Sequence, residues 1–204
     1  MEIDKHLLSS VKGFLDEDEG RCLYNTALEA GLMGSCLEIG SYCGKSTLYL
    51  GAACKKSKGI LFSIDHHGGS EEQQPGEEYF DPDLFDPKTC RIDTFREFRA
   101  TINRTGLDDT VVPIVCRSEV VARCWKTPLS LVFIDGGHSM EAACTDYEGW
   151  AGHIIPGGFL IIHDIFFDPA QGGQAPRHIY HQALESGLFR EVTMIKTLGV
   201  LKRE

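Results

Sequence analysis

The stretch Leu37-Glu38-Ile39-Gly40-Ser41-Tyr42-Cys43-Gly44-Lys45-Ser46-Thr47 constrains this chain more than any other. A short apolar run carries an acid near its end, a turn with two glycines follows, and a helix is expected to begin at Ser46 or Thr47. Gly40 and Gly44 lack a Cβ, so the backbone there can turn tightly and come close to a ligand. The helix start offers unpaired N–H groups and a positive dipole end, which suit a small anionic or zwitterionic group. Spacing excludes two familiar nucleotide loops. A Walker P-loop ending in Gly44-Lys45-Ser46 would need its first glycine at position 39, which is Ile39. The dinucleotide fingerprint would need its second glycine at position 42, which is Tyr42. The pattern that remains is acid-x-Gly-x-x-x-Gly.

Elsewhere the chain alternates strand and helix. Residues 3 to 15 place Ile3, Leu7, Leu8, Val11, Phe14 and Leu15 at helical spacing. The acidic run Asp16 to Glu19 opens a second helix through about Ala30, ended by Gly31 and Gly34. These N-terminal helices, within residues 1–34, cover the sheet, rim the ligand site or meet a partner subunit, and the sequence does not choose. Strands are expected at 35–39, 60–64, 111–116, 129–134, 159–162, 189–195 and 198–202. Helices are expected at about 46–55, 93–104, 119–126, 139–153 and 177–186, with Met140, Ala143, Tyr147 and Trp150 facing inward in the fourth of these. Pro156-Gly157-Gly158 reads as a turn. Five strand–helix alternations predict an α/β fold, a Rossmann-like doubly wound and mostly parallel sheet of about seven strands with helices on both faces. Residues 1–204 are expected to form a single domain.

Residues 66–92 are the least regular part. His66-His67-Gly68-Gly69 leads into a segment with three prolines and seven carboxylates. It leaves the carboxyl edge of the sheet, so it reads either as an acidic lid on the substrate side or as a solvated insertion.

Composition narrows the function classes. A net charge of −10 argues against nucleic acid and against an anionic membrane surface. No apolar run reaches the length of a membrane span, and the first residues show no basic region followed by an apolar block. The eight cysteines have no Cys-x-x-Cys spacing and read as reduced, buried thiols of a cytoplasmic protein rather than a zinc cluster. His178 and His181 lie three apart with no third ligand evident. Oligomeric state stays open.

In a doubly wound sheet, ligands bind beyond the carboxyl ends of the strands. The polar residues ending the buried strands are Glu38, Asp65, Arg117-Ser118, Asp135 through His138, and His163-Asp164. They collect on one rim. Asp65 ends the second strand, where a carboxylate can accept from two ribose hydroxyls at once. Histidine titrates near neutrality, so His67, His138 and His163 are candidate bases.

The glycine loop resembles motif I of class I S-adenosylmethionine (SAM) methyltransferases, and in its Tyr-Cys-Gly-x-Ser core that of catechol O-methyltransferase and related small-molecule O-methyltransferases. The resemblance runs as spaced motifs from about 36 to 166. It implies that Glu38 anchors the methionine amino group, with Gly40, Ser41, Tyr42, Gly44 and Ser46 around the methionine part. It further implies that Asp65 holds the ribose, that His66 and Ser118 flank the adenine, and that Asp135 lies near the sulfonium. It implies a divalent cation such as Mg2+ on Asp135 and Asp164, and a base at His138, where catechol-type enzymes have lysine. Ile165 stands where their asparagine ligand would be, so that metal set is incomplete. His163, Glu71 or Glu72 are candidate substitutes. The expectation is SAM-dependent methylation of a small molecule at a hydroxyl oxygen. The rivals are a nucleotide-binding oxidoreductase and a non-catalytic SAM or nucleoside binder.

Overall fold

A computed structural model of the chain describes residues 5–204, and Ile3 lies outside them. Helices α1 (Lys5–Ser10) and α2 (Glu17–Ala30) precede strand β1 (Ser35–Ile39), helix α3 (Lys45–Ser57) and strand β2 (Leu61–Asp65). A two-residue hairpin, β3 (Phe85–Asp86) and β4 (Arg91–Ile92), lies in the acidic segment. Then come α4 (Phe95–Thr105), β5 (Val111–Val115), α5 (Ser118–Ala122), β6 (Leu129–Ile134), α6 (Met140–Trp150), β7 (Ile154–Ile162), α7 (Ala175–Glu185), β8 (Phe189–Ile195) and β9 (Leu198–Arg203).

One seven-stranded sheet has the order β5-β2-β1-β6-β7-β9-β8. Pairs from β5 to β7 are parallel, and β9 runs antiparallel to both β7 and β8. The chain steps outward from β1 to β2 on one side and returns to β6 on the other. The topological switch therefore falls between β1 and β6, where such sheets open a crevice. Alternate residues of the central strands face opposite layers. Cys36, Leu131, Phe133 and Ile161 pack with α2, α3 and α4, while Leu37, Val132, Ile134 and Ile162 pack with α6 and α7. Burial on both faces explains the continuous apolar runs that made these strands legible. Among the described residues, no helix is long and apolar enough to cross a membrane.

Four expectations need correction. The helix over 3–15 shortens to α1, because Gly13 adopts φ +148° and its carbonyl accepts from Lys45 Nζ at 3.0 Å. Val11 and Leu15 are still buried, by a non-helical segment, while Phe14 is exposed. Pro156-Gly157-Gly158 is an irregularity within β7, not a turn. Leu129 pairs with Ile154 and Leu131 with Phe159, so the extra residues bulge out between two paired positions. Met140 is exposed, since it opens α6 beside the N-cap Ser139, whereas Ala143, Tyr147 and Trp150 are buried. All eight cysteines are free, but only Cys36, Cys43 and Cys54 are buried; Cys90 and Cys124 sit on exposed turns.

Helix α2 begins as its acids dictate. The Asp16 carboxylate accepts from Asp18 N at 2.8 Å, and the Glu19 carboxylate accepts from Asp16 N at 3.3 Å, a capping box. The β1–α3 turn is held by sterics. Gly40 has φ +84°, and a Cβ there would overlap the Asp135 carbonyl oxygen at the end of β6. Gly40→Ala is therefore expected to cost about 2 kcal/mol or more, from strained φ plus backbone displacement. Denaturant unfolding checks this; unchanged stability would contradict the close approach.

Candidate active site

The loop after β1 is closed by a carboxylate. Asp65 Oδ2 accepts from Ser41 N at 3.0 Å and Tyr42 N at 2.8 Å, and Oδ1 accepts from His67 N at 2.7 Å. Tyr42 and His67 both sit at positive φ, 48° and 57°, and these bonds to their amides help to hold that geometry. A carboxylate has about four acceptor positions, so one on Oδ1 remains for a ligand hydroxyl. Gripping two ribose hydroxyls directly would need more room than this. His66 is exposed, and its Nδ1 accepts from Gly68 N at 3.0 Å.

Glu38 lies beneath the loop with no exposed surface. Oε1 accepts from Ser46 Oγ at 2.5 Å; Oε2 accepts from Thr47 Oγ1 and Ser63 Oγ, each at 2.7 Å. Burial pushes its pKa up to about 7, against the three hydroxyls that favour the ionised form. It fastens the first turn of α3 to the sheet. Ser41 Oγ, in contrast, is buried and has no hydrogen-bond partner among the described residues. Such an orphan beside a glycine turn suits a polar ligand group.

Strand ends β6 and β7 lie side by side next to the switch point. One ligand atom from each of Asp135, His138 and Asp164 falls within 4.8 Å of the others, the geometry of a candidate cation site. His138 Nε2 is 3.2 Å from Asp164 Oδ2, and His138 Nδ1 is 3.3 Å from Glu72 Oε2 of the acidic segment. The Asp164 hydrogen bond raises the His138 pKa to about 9, outweighing the opposite effect of burial. Asp164 reaches this position through a left-handed backbone, φ 57°. Ile165 turns the other way, buried against Tyr180 and Gly199 in the core between α7 and β9, so no side chain replaces the asparagine ligand there.

His163 stands behind this cluster rather than in it. It is 5% exposed, and both ring nitrogens are occupied by carboxylates: Nδ1 lies 3.0 Å from Asp135 Oδ1, and Nε2 lies 3.1 Å from Glu19 Oε2. Glu19 Oε1 accepts from Thr197 N at 2.8 Å and Thr197 Oγ1 at 2.7 Å. Helix α2, the β8–β9 turn and two strand ends thus meet at one imidazole. Burial alone would lower the His163 pKa, but Asp135, Glu19 and Asp164 raise it to about 11. Burial would raise Glu19, yet His163 and Thr197 bring it down to about 2.

His67 is not brought to the cluster. It is buried against Phe95 and Phe98, with Nδ1 2.7 Å from Thr94 Oγ1, and burial lowers its pKa. Ser118 donates to Asp146 on α6. His178 and His181 are exposed. Glu19 and Asp146 escaped the sequence reading. Glu19 looked like a helix-start acid. The available signal was Gly20 beside it, where a Cβ would overlap the Tyr49 ring; that glycine lets α2 settle onto α3 and bury its first turn.

Residues 37–165 match the family model described as "Methyltransferase domain". The chain belongs to this methyltransferase family. The match begins at the acidic strand end and closes just past His163-Asp164, so it spans every strand end of the rim. It bears out the class I methyltransferase resemblance read from the glycine loop and sets aside the oxidoreductase alternative. The fold is shared with solved structures of low identity. An O-methyltransferase from Bacillus cereus in complex with SAH is 15% identical, with TM-score 0.66, covering 100% of this chain and 93% of that one. The O-methyltransferase TomG from Streptomyces achromogenes, in complex with SAM, is 13% identical, with TM-score 0.67 and coverage of 99% and 91%. Cofactor-bound Rv0187 from MTB is 16% identical, with TM-score 0.66 and coverage of 98% and 90%.

The buried pairing predicts a pH signature. A raised histidine pKa contributes its full stabilisation below the unfolded value of 6.5 and loses it as pH rises through about 11. Glu19 is fully ionised above its unfolded value of 4.5. His163→Gln should therefore lower the melting temperature most between about pH 5 and 6.5, with the gap narrowing steadily as the pH rises toward about 11. A gap independent of pH would contradict the assignment.

Proposed function

We propose that this methyltransferase binds SAM in the crevice between the Gly40 loop and Asp65, and transfers its methyl group to a hydroxyl oxygen of a small molecule. The supporting observation is the placement of the Asp135–His138–Asp164 cluster beside the switch point, at the ends of the two strands next to the one that carries the glycine loop. Cofactor and acceptor chemistry can meet there.

The residues fit SAM. Gly40 and Gly44, at φ +84° and +93°, leave the loop backbone bare for the methionine part. Ser41 Oγ is a buried hydroxyl in want of a partner, and Asp65 keeps an acceptor position for the ribose. The SAM and SAH complexes of the structural neighbours support the same cofactor.

Methyl transfer from a sulfonium is an in-line displacement, so much of the gain comes from holding donor and acceptor in position. The acceptor must also lose a proton. His138 is the base in this reading, as it is the partly exposed imidazole of the cluster. Its raised pKa keeps it protonated at neutral pH while Asp164 pairs with it. Asp135 and Asp164, with His138 beside them, suit a divalent cation; such an ion would polarise the acceptor oxygen and lower its pKa. Were Asp164 to hold such a cation, the contact that keeps the His138 proton would be lost, and the imidazole would fall back toward its ordinary range.

The acceptor side is a groove of about 420 Å³ lined by Lys12, Phe14, Tyr42, Tyr79 and Phe80 among others. Phe14 and Tyr79 meet edge-to-face at 5.3 Å. Lys12, on the groove's edge, pairs with Asp81 at 2.5 Å and Asp83 at 3.0 Å. Tyr79 N donates to Glu72 O at 3.0 Å, and the Glu72 carboxylate reaches His138, so groove and cluster share one loop. The acidic segment acts here as a wall of the acceptor site, which suits a small molecule better than nucleic acid.

The test is transfer of a labelled methyl group from SAM across a panel of small hydroxylated acceptors, with and without Mg2+. His138→Ala is expected to keep SAH affinity and lose about a hundredfold or more of the rate. In the native protein without added cation, the rate should rise with pH toward about 9, and Mg2+ should move that rise to lower pH. Full activity in His138→Ala would overturn the base assignment. A protein that binds SAM and methylates no acceptor would be the non-catalytic binder.

A further inference from the structure

Three aromatic rings from three separate segments gather on one groove and are left bare. Phe14, in the non-helical segment before α2, is 66% exposed, and Tyr79, in the acidic segment, is 43% exposed. The Phe14 ring lies 6.0 Å from that of Tyr42, tilted by 31°, and 5.3 Å from that of Tyr79, edge to face. All three line the groove of about 420 Å³. A contiguous apolar patch of this kind marks a place where something binds.

Charge says what that is. Other rings are covered by the protein's own cations: Arg99 lies over Phe95 at 5.9 Å, Arg177 over Phe167 at 5.5 Å and Lys202 over Phe159 at 4.8 Å. Among the described residues, no side-chain cation stands over Phe14, Tyr42 or Tyr79. Lys12, which also lines the groove, is held by Asp81 and Asp83 instead. These two acids and Glu78, also on the groove, set three negative charges against the single positive charge of Lys12. Glu78 has no ion-pair partner among the described residues. Burial pushes the Tyr42 phenol up to about 12, and Asp81 adds to that rise more than Lys12 takes away.

A neutral apolar group would cover the rings but strip water from Glu78 with nothing in return. An anion would be repelled by the net charge. An organic cation satisfies both features: its alkyl surface packs on the rings, whose faces attract positive charge, and its charge faces the carboxylate.

We propose that Phe14, Tyr42, Tyr79 and Glu78 form a site for an organic ammonium group, so that the acceptor carries a positive charge besides the hydroxyl it offers for methylation. This rests on the reading of the groove as the acceptor side.

The probes are choline and its neutral isostere 3,3-dimethyl-1-butanol, which share shape and hydroxyl and differ in charge. Each is titrated into the native protein, Phe14→Leu and Glu78→Gln, with binding read from the ligand's methyl signals by saturation-transfer NMR. SAH is titrated into the same samples by calorimetry. The native protein is expected to prefer choline by about tenfold or more. Phe14→Leu keeps an apolar side chain but removes the ring face, and should bring the preference below about threefold without changing SAH affinity. Glu78→Gln should lower it by about threefold, and added salt should do so only where Glu78 is present. Equal binding of the two probes, no binding of either, or a preference unchanged in Phe14→Leu would overturn the proposal. If SAH binds and choline is not preferred, only this inference fails. If choline is preferred and SAH does not bind, the cation site stands and its role for a methyl acceptor is overturned with the SAM reading.

Discussion

Three backbone amides converge on the Asp65 carboxylate, and the geometry of the whole rim depends on that convergence. Ser41 and Tyr42 belong to the loop after β1, and His67 opens the acidic segment after β2. Without an acceptor there, two residues at positive φ would lose the bonds that offset their strain. Charge-assisted bonds from N–H to carboxylate are among the stronger ones in proteins. Here they do two things at once: they lock the glycine loop against the end of β2, and they fix where the acidic segment leaves that strand.

A second set of carboxylates works around imidazoles. Glu19, His163 and Asp135 form a buried line from α2 to the rim, and Asp164 and His138 continue it to the surface. Breaking such a line by removing one member leaves a charge buried without its partner, which costs far more than the line contributes when whole. That asymmetry argues for a positional purpose. His163, with both nitrogens held, cannot rotate, and Asp135 is therefore presented in one orientation beside the glycine loop. Helix α2 thus covers the sheet, one of the roles its sequence left open, and through Glu19 it also fixes His163.

The fold was legible where burial on both faces forced long apolar runs, as in Leu129 to Ile134 and Phe159 to Ile162. It was misread where a local signal had a second use. Pro156-Gly157-Gly158 carries turn chemistry but serves a bulge within β7. The apolar spacing over 3–15 looked helical, yet α1 stops at Ser10, and Val11 and Leu15 are buried by a non-helical segment that turns at Gly13. Of the site, the residues at strand ends were legible, because topology alone brings Glu38, Asp65, Asp135 and Asp164 to one edge. Their individual tasks were not. Whether Glu38 meets ligand or Ser46, Thr47 and Ser63 depends on three hydroxyls from two segments, α3 and β2. The role of Glu19 depends on Thr197 and His163, far along the chain. The one local trace of its burial is Gly20 beside it, and that glycine does not name the partners.

The most direct measurement is a calorimetric titration of SAH into the native protein and into Asp65→Ala. The account expects one site per chain in the native protein, and a loss of about a hundredfold in affinity when the carboxylate is removed, since both the loop geometry and a charged acceptor for the ribose disappear together. No measurable binding to the native protein, or equal affinity in Asp65→Ala, would contradict it.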